Sequence, residues 1–211
     1  MKLTPEELPS QGYQLIEEMD HKELMPFVKL YIRKRTISSF IYYGSMVLSF
    51  VVLLILCIQF HYTERIPFHK GLSHVSRGGL ICLALIPIHE VIHAIAYRLQ
   101  GARQTSFDVN LKKFYFLAIA DKFVANKKEF QLVALAPFLT ITFALIVLAF
   151  TLNDGWKISM LSTVFLHSSM CVGDFALLSY FEFHKNKEIV TYDDKETKRS
   201  FFYEKGNSIN V

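Results

Sequence analysis

The apolar residues of this chain are gathered into long runs instead of periodic stripes. Four runs are long enough to cross a bilayer as helix, which takes about 20 residues. They are 37–60, uncharged throughout; 78–97, apolar except for His89, Glu90 and His93; 130–152, with Pro137 inside; and 156–181, carrying His167 and Asp174. The pattern predicts an all-α membrane protein of about four transmembrane helices. Between the second and third spans, residues 105–120 mix aromatic and β-branched side chains in the manner of strands. That stretch reads either as a short β-hairpin at the membrane surface or as an amphipathic surface loop. Any part that dips into lipid must be covered by protein or face a wet cavity. Ahead of the first span, Leu24, Phe27, Val28, Tyr31 and Ile32 recur at helical spacing. They predict either an interfacial helix or a plain solvated flank.

Three regions follow: an N-terminal segment over 1–36, a four-helix membrane domain over 37–181, and a polar tail over 182–211. The tail is expected to be partly disordered and to carry no chemistry. Basic residues orient the spans. Lys29, Arg33, Lys34 and Arg35 precede the first, the loop after the second is rich in lysine and arginine, and so is the tail. The other two loops are poorer. The positive-inside rule then puts both termini and the middle loop in the cytoplasm. An even number of spans demands the same.

Composition supports this picture and excludes others. Hydrophobic residues make up 52% of the 211, too many and too bunched for a soluble globule. A net charge of +4, with no basic stripe among aromatics, excludes nucleic acid as a partner. The expected surroundings are the lipid bilayer and a membrane-protein or peptide substrate, with oligomeric state open. Cys57, Cys82 and Cys171 are odd in number, lie in apolar runs and form no CxxC. They read as buried, inert thiols. His61, His69 and His74 read as solvated residues of the outer loop.

The decisive feature is His89-Glu90-Val91-Ile92-His93. Residues four apart share a helix face, so two imidazoles at this spacing can hold one zinc ion at about 2.0–2.1 Å. The glutamate between them lies near the same face and can take a proton from water. An ionisable residue at the bilayer centre costs about 2.5–3.5 kcal/mol on insertion scales, so this cluster is hard to explain as padding. A catalytic zinc usually has a third protein ligand. The fourth span offers His167 and Asp174, seven residues and roughly 10 Å apart on an unbroken helix. Both reach one ion only if the helix breaks between them, for which Gly173 offers local loosening. Asp174 is the favoured ligand, and as a check on the pairing it falls at the same depth as His89 and His93. His167 then becomes a cavity residue, a partner orienting a ligand, or the alternative ligand. Pro87 could kink the second span and admit water.

His89–His93 in an apolar helix, the basic aromatic loop, Ala136-Pro137, and Gly173-Asp174 in a final span together resemble a family of small bacterial membrane proteins described as zincin peptidases. That family is in turn similar to intramembrane metalloproteases of the site-2 protease type. The resemblance covers about 78–181. It implies a bacterial cell membrane location, zinc held by His89, His93 and Asp174, and Glu90 as the residue that activates water. The chain has Gly-Asp without the Asn-Pro-Asp-Gly run of the better-known proteases.

The function expected from the sequence is hydrolysis of peptide bonds in or at the membrane. A segment around Phe114–Ala120 would receive the unwound substrate as an added strand. The alternative is a non-catalytic membrane protein with a structural zinc site that binds or regulates a partner, in which Glu90 would have no task.

Overall fold

The computed structural model describes residues 2–110 and 115–206. Its helices are α1 (Leu24–Ile32), α2 (Ile37–Tyr62), α3 (Phe68–Leu99), α4 (Lys127–Thr151), α5 (Asp154–Met170) and α6 (Val172–Phe183). Its strands are β1 (Tyr13–Asp20), β2 (Thr105–Asn110), β3 (Tyr115–Ala120), β4 (Ala125–Asn126), β5 (Ile189–Asp194) and β6 (Arg199–Lys205). Three helices, α2, α3 and α4, are long and apolar enough to cross a membrane. The pair α5 and α6, bent by 45° at their junction, is long and apolar enough only when taken together, which gives three to four such segments. The chain is mostly helical, with two small antiparallel sheets.

Local chemistry sets the helix ends. Thr36 accepts from the Ser39 N–H at the start of α2. Asn126 and Glu129 close a reciprocal capping box on α4, and Asn153 accepts from the Trp156 N–H on α5. Each cap satisfies donors that the first helical turn cannot pair internally. The predicted interfacial helix forms as α1. The second span begins ten residues earlier than its apolar run, because 68–77 continues the α3 helix through His69 and His74. The strand-like loop folds as the hairpin β2–β3, with Thr105 opposite Ala120 and Phe107 opposite Ala118. Residues 111–114, among them Lys112, Lys113 and Phe114, lie outside the described residues.

Helices α3 and α5 approach closely through small residues. Gly78 faces Ser159 and Ser162, and Thr163 donates to the Gly78 carbonyl at 3.0 Å. Without a water-driven force between helices in lipid, small residues and hydroxyl bonds are what let backbones pack. At the other end of the bundle, the Glu182 carboxylate receives both the N–H and the hydroxyl of Ser38. Ser179 donates to the Tyr31 carbonyl at 2.6 Å. These bonds tie α1, α2 and α6 together.

The polar tail differs from its expected disorder. Residues 189–194 and 199–205 form a β-hairpin that joins strands from elsewhere into a four-stranded sheet, ordered β1-β6-β5-β4. Strand β1 pairs with β6 from Tyr13 opposite Lys205 to Asp20 opposite Arg199. The sheet is held to the helices by Phe202, whose ring lies 4.6 Å from Tyr180 of α6 and 5.9 Å from Phe27 of α1. Strand β1 from one end of the chain and β5 and β6 from the other therefore join the mid-chain β4 in one sheet packed against α1 and α6.

Candidate metal centre

The HExxH helix turn lies in the second half of α3, with His89, Glu90 and His93 all buried. The bend between α5 and α6 falls at Cys171, between His167 and Asp174. This break lets both residues reach the same region, which a straight helix would forbid. It comes two residues before Gly173. Asp174 occupies the first turn of α6, where a carboxylate complements the helix dipole.

Three donor groups meet at close range. His89 Nε2 and His93 Nε2 are 3.1 Å apart. Asp174 places Oδ2 at 3.3 Å from His89 Nε2 and Oδ1 at 3.2 Å from His93 Nε2. A tetrahedral zinc with ligands at about 2.0–2.1 Å has ligand-to-ligand edges of about 3.3–3.4 Å. The two ring nitrogens are about one such edge apart, each has one Asp174 oxygen at a similar distance, and two imidazoles with one carboxylate are a donor set suited to zinc.

The surrounding contacts orient these donors. His93 Nδ1 lies 2.9 Å from the Val133 carbonyl of α4. Its N–H donates there, which leaves the Nε2 lone pair facing the triangle. His89 Nδ1 lies 3.1 Å from His167 Nε2. With the His89 N–H donating to it, His167 supports the ring from behind. His167 Nδ1 is buried with no hydrogen-bond partner among the described residues. The Ala118 N–H of β3 donates to Glu90 Oε2 at 2.7 Å, so the hairpin reaches down onto the glutamate.

Cys171 is closer to this chemistry than its sequence setting suggests. A second cluster of donors, His89, His167 and Cys171, has ligand atoms within 4.8 Å of one another, as does the set His89, Glu90 and His93. Tyr97, one helical turn beyond His93, also lines the cavity beside Glu90 and Asp174. Its spacing from His89 and His93 was a signal available in the sequence. The backbone groups of Val133 and Ala118 had none. His61, His69 and His74 are spread over α2 and α3 and join neither cluster.

A helical bundle with three to four helices long and apolar enough to span a membrane brings an HExxH turn to face an aspartate, an arrangement of zincin-like class. The family described as "Putative zincin peptidase" matches residues 82–189, just over half of the chain, and the chain belongs to that family. The matched segment contains His89, Glu90, His93, His167 and Asp174. It leaves out β1, α1, α2, β6 and all of β5 after Ile189. No match is found among curated proteins or solved structures.

Proposed function

We propose that this protein is a zinc-dependent peptidase of the membrane, acting on peptide bonds of membrane-protein substrates. The observation that carries the reading is Glu90, buried beside a His–His–Asp triangle and aimed by the Ala118 N–H. A purely structural ion would leave that carboxylate without a task.

His89, His93 and Asp174 would hold the zinc. When bound, zinc supplies a Lewis acid that polarises a carbonyl and brings the pKa of water toward about 7. Glu90 accepts a proton from the attacking water and returns it to the leaving nitrogen as the C–N bond breaks. The water oxygen ends in the new carboxylate, and the two protons of that water are divided between the products and solvent. The Ala118 N–H bond at Glu90 Oε2 would hold the carboxylate in place and leave Oε1 to receive the proton. His167 and the Val133 carbonyl keep the two imidazoles in the tautomer that presents Nε2. A substrate helix shields its own peptide bonds, so the substrate unwinds before cleavage. In the proposed complex the unwound segment lies along β3 as an added strand. Both termini and the β-sheet layer face the cytoplasm in this arrangement, as the distribution of Lys and Arg favours. The host membrane is proposed to be bacterial.

The test uses purified full-length protein in detergent, with a membrane-spanning peptide as substrate. The reading predicts about one zinc per chain and cleavage in the wild type. It predicts retained zinc with cleavage reduced at least about a hundredfold in Glu90→Gln. Zinc-loaded wild type that cleaves no tested peptide would favour the non-catalytic alternative.

A further inference from the structure

The cavity beside Glu90, His93 and Asp174 has a second polar end. It encloses about 100 Å³ and extends to His21, Asp193 and Ser200, which belong to the terminal segments outside the matched family region. At about 10–15 Å³ per water, the space admits several waters or one extended side chain.

Proton accounting fixes the character of that end. A carboxylate cannot donate, so the single hydroxyl proton of Ser200 goes to Asp193 Oδ1, 2.6 Å away. His21 Nε2 lies 3.1 Å from the same hydroxyl oxygen and is therefore the donor to it. His21 Nδ1 is buried and has no hydrogen-bond partner among the described residues, in a side chain only 2% exposed. The charged atom facing it is Asp108 Oδ2, at 3.9 Å. The polar end thus places the Asp193 carboxylate, with one oxygen beyond the bond to Ser200, beside the His21 ring. Much of the remaining wall is apolar, Met19, Leu24 and Phe202 among it.

From this arrangement we propose that His21, Asp193 and Ser200 form a subsite for a cationic side chain, lysine or arginine, of the substrate near the scissile bond. The subsite rests on the peptidase reading above and names its substrate class. Lysine and arginine bury their stems along apolar surface and present a donor-only head, which complements both parts of the wall. The subsite lies in the sheet layer, on the side assigned to the cytoplasm. Membrane proteins concentrate Lys and Arg at that end of their spans. The substrates are then membrane proteins with a basic residue at the cytoplasmic border of a span.

The experiment measures binding without cleavage. Full-length, zinc-loaded Glu90→Gln in detergent is titrated with fluorescent membrane-spanning peptides that differ at one border position, lysine against norleucine. The lysine peptide is expected to bind about tenfold or more tightly. Adding Asp193→Asn, which retains an acceptor for Ser200, brings the two affinities together, and His21→Gln narrows the gap. Equal affinities in the parent, no binding of either peptide, or a preference unchanged by both substitutions overturns the subsite. A second equivalent of zinc removed by Asp193→Asn also overturns it. The peptidase reading fails separately, on the absence of cleavage by the zinc-loaded wild type.

Discussion

The carboxylate of Asp174 stands 3.2 Å from Nε2 of His93, although the two lie on different helices and Asp174 follows the break at Cys171. The same carboxylate reaches His89. An acidic side chain is tolerated inside an apolar bundle when an opposite charge or a cation meets it. Here the bend between α5 and α6 is what delivers it.

His167 is predicted to act through His89 and not as a ligand. His167→Phe removes the acceptor 3.1 Å from His89 Nδ1 while filling the space. Loss of such an orienting partner typically weakens metal binding by about 10–100-fold. A competitive zinc titration should show that weakening with about one zinc still bound at saturation. Loss of saturable binding would make His167 a ligand instead.

Ala118→Pro tests the hairpin's hold on Glu90. The Ala118 N–H points to Glu90 and so away from β2. A proline there breaks no bond of the β2–β3 ladder. Zinc content should stay at the wild-type level while kcat falls about tenfold or more, part of what general-base catalysis contributes. Unchanged kcat would remove β3 from the catalytic account.

Gly78 is predicted to be required for the α3–α5 contact. A Cβ at this position would collide with Ser162 Oγ and meet the Ser159 carbonyl at 2.6 Å. Gly78→Ala should cost about 1–3 kcal/mol as overpacking and lower the thermal midpoint in detergent. Gly71→Ala on the same helix meets nothing within 4 Å. It should be neutral or slightly stabilising. Equal midpoints for the two variants would contradict the packing argument.

The sheet layer should loosen in alkali. Burial, and next the Glu188 carboxylate that accepts the phenol proton at 2.6 Å, push the Tyr13 pKa from 10.0 up to about 12. A folded-state pKa above the unfolded value gives stability that is whole below pH 10 and is lost as pH rises toward 12. Thermal midpoints measured from pH 9 to 12 should therefore fall more for wild type than for Tyr13→Phe. Parallel declines would show that Tyr13 contributes nothing to the pH dependence.

The spans, the HExxH turn and the hairpin at 105–120 were legible because each is local. An apolar run, a four-residue spacing and alternating side chains need no knowledge of distant partners. The depth match between Asp174 and His93 was legible for the same reason, since helix rise converts position into height. The four-stranded sheet was not. Its strands β1, β5 and β6 are short and rich in charge, and β1 finds its partner at the far end of the chain. Only Met19, Val190, Phe202 and a few others are buried from those strands, too few to stand out in a polar tail. The same non-locality hid His21, Asp193 and Ser200, whose meeting depends on that sheet. Cys171 was read as inert because nothing local marks it as the point where the chain bends between α5 and α6.

The most direct test of the central claim is zinc content of purified full-length wild type, His93→Ala and Asp174→Ala, equilibrated at one free zinc concentration. About one zinc per chain in the wild type and a large loss in both variants is the predicted result. Full zinc in Asp174→Ala, with loss in Cys171→Ser, would contradict it and move the ion to the cluster of His89, His167 and Cys171.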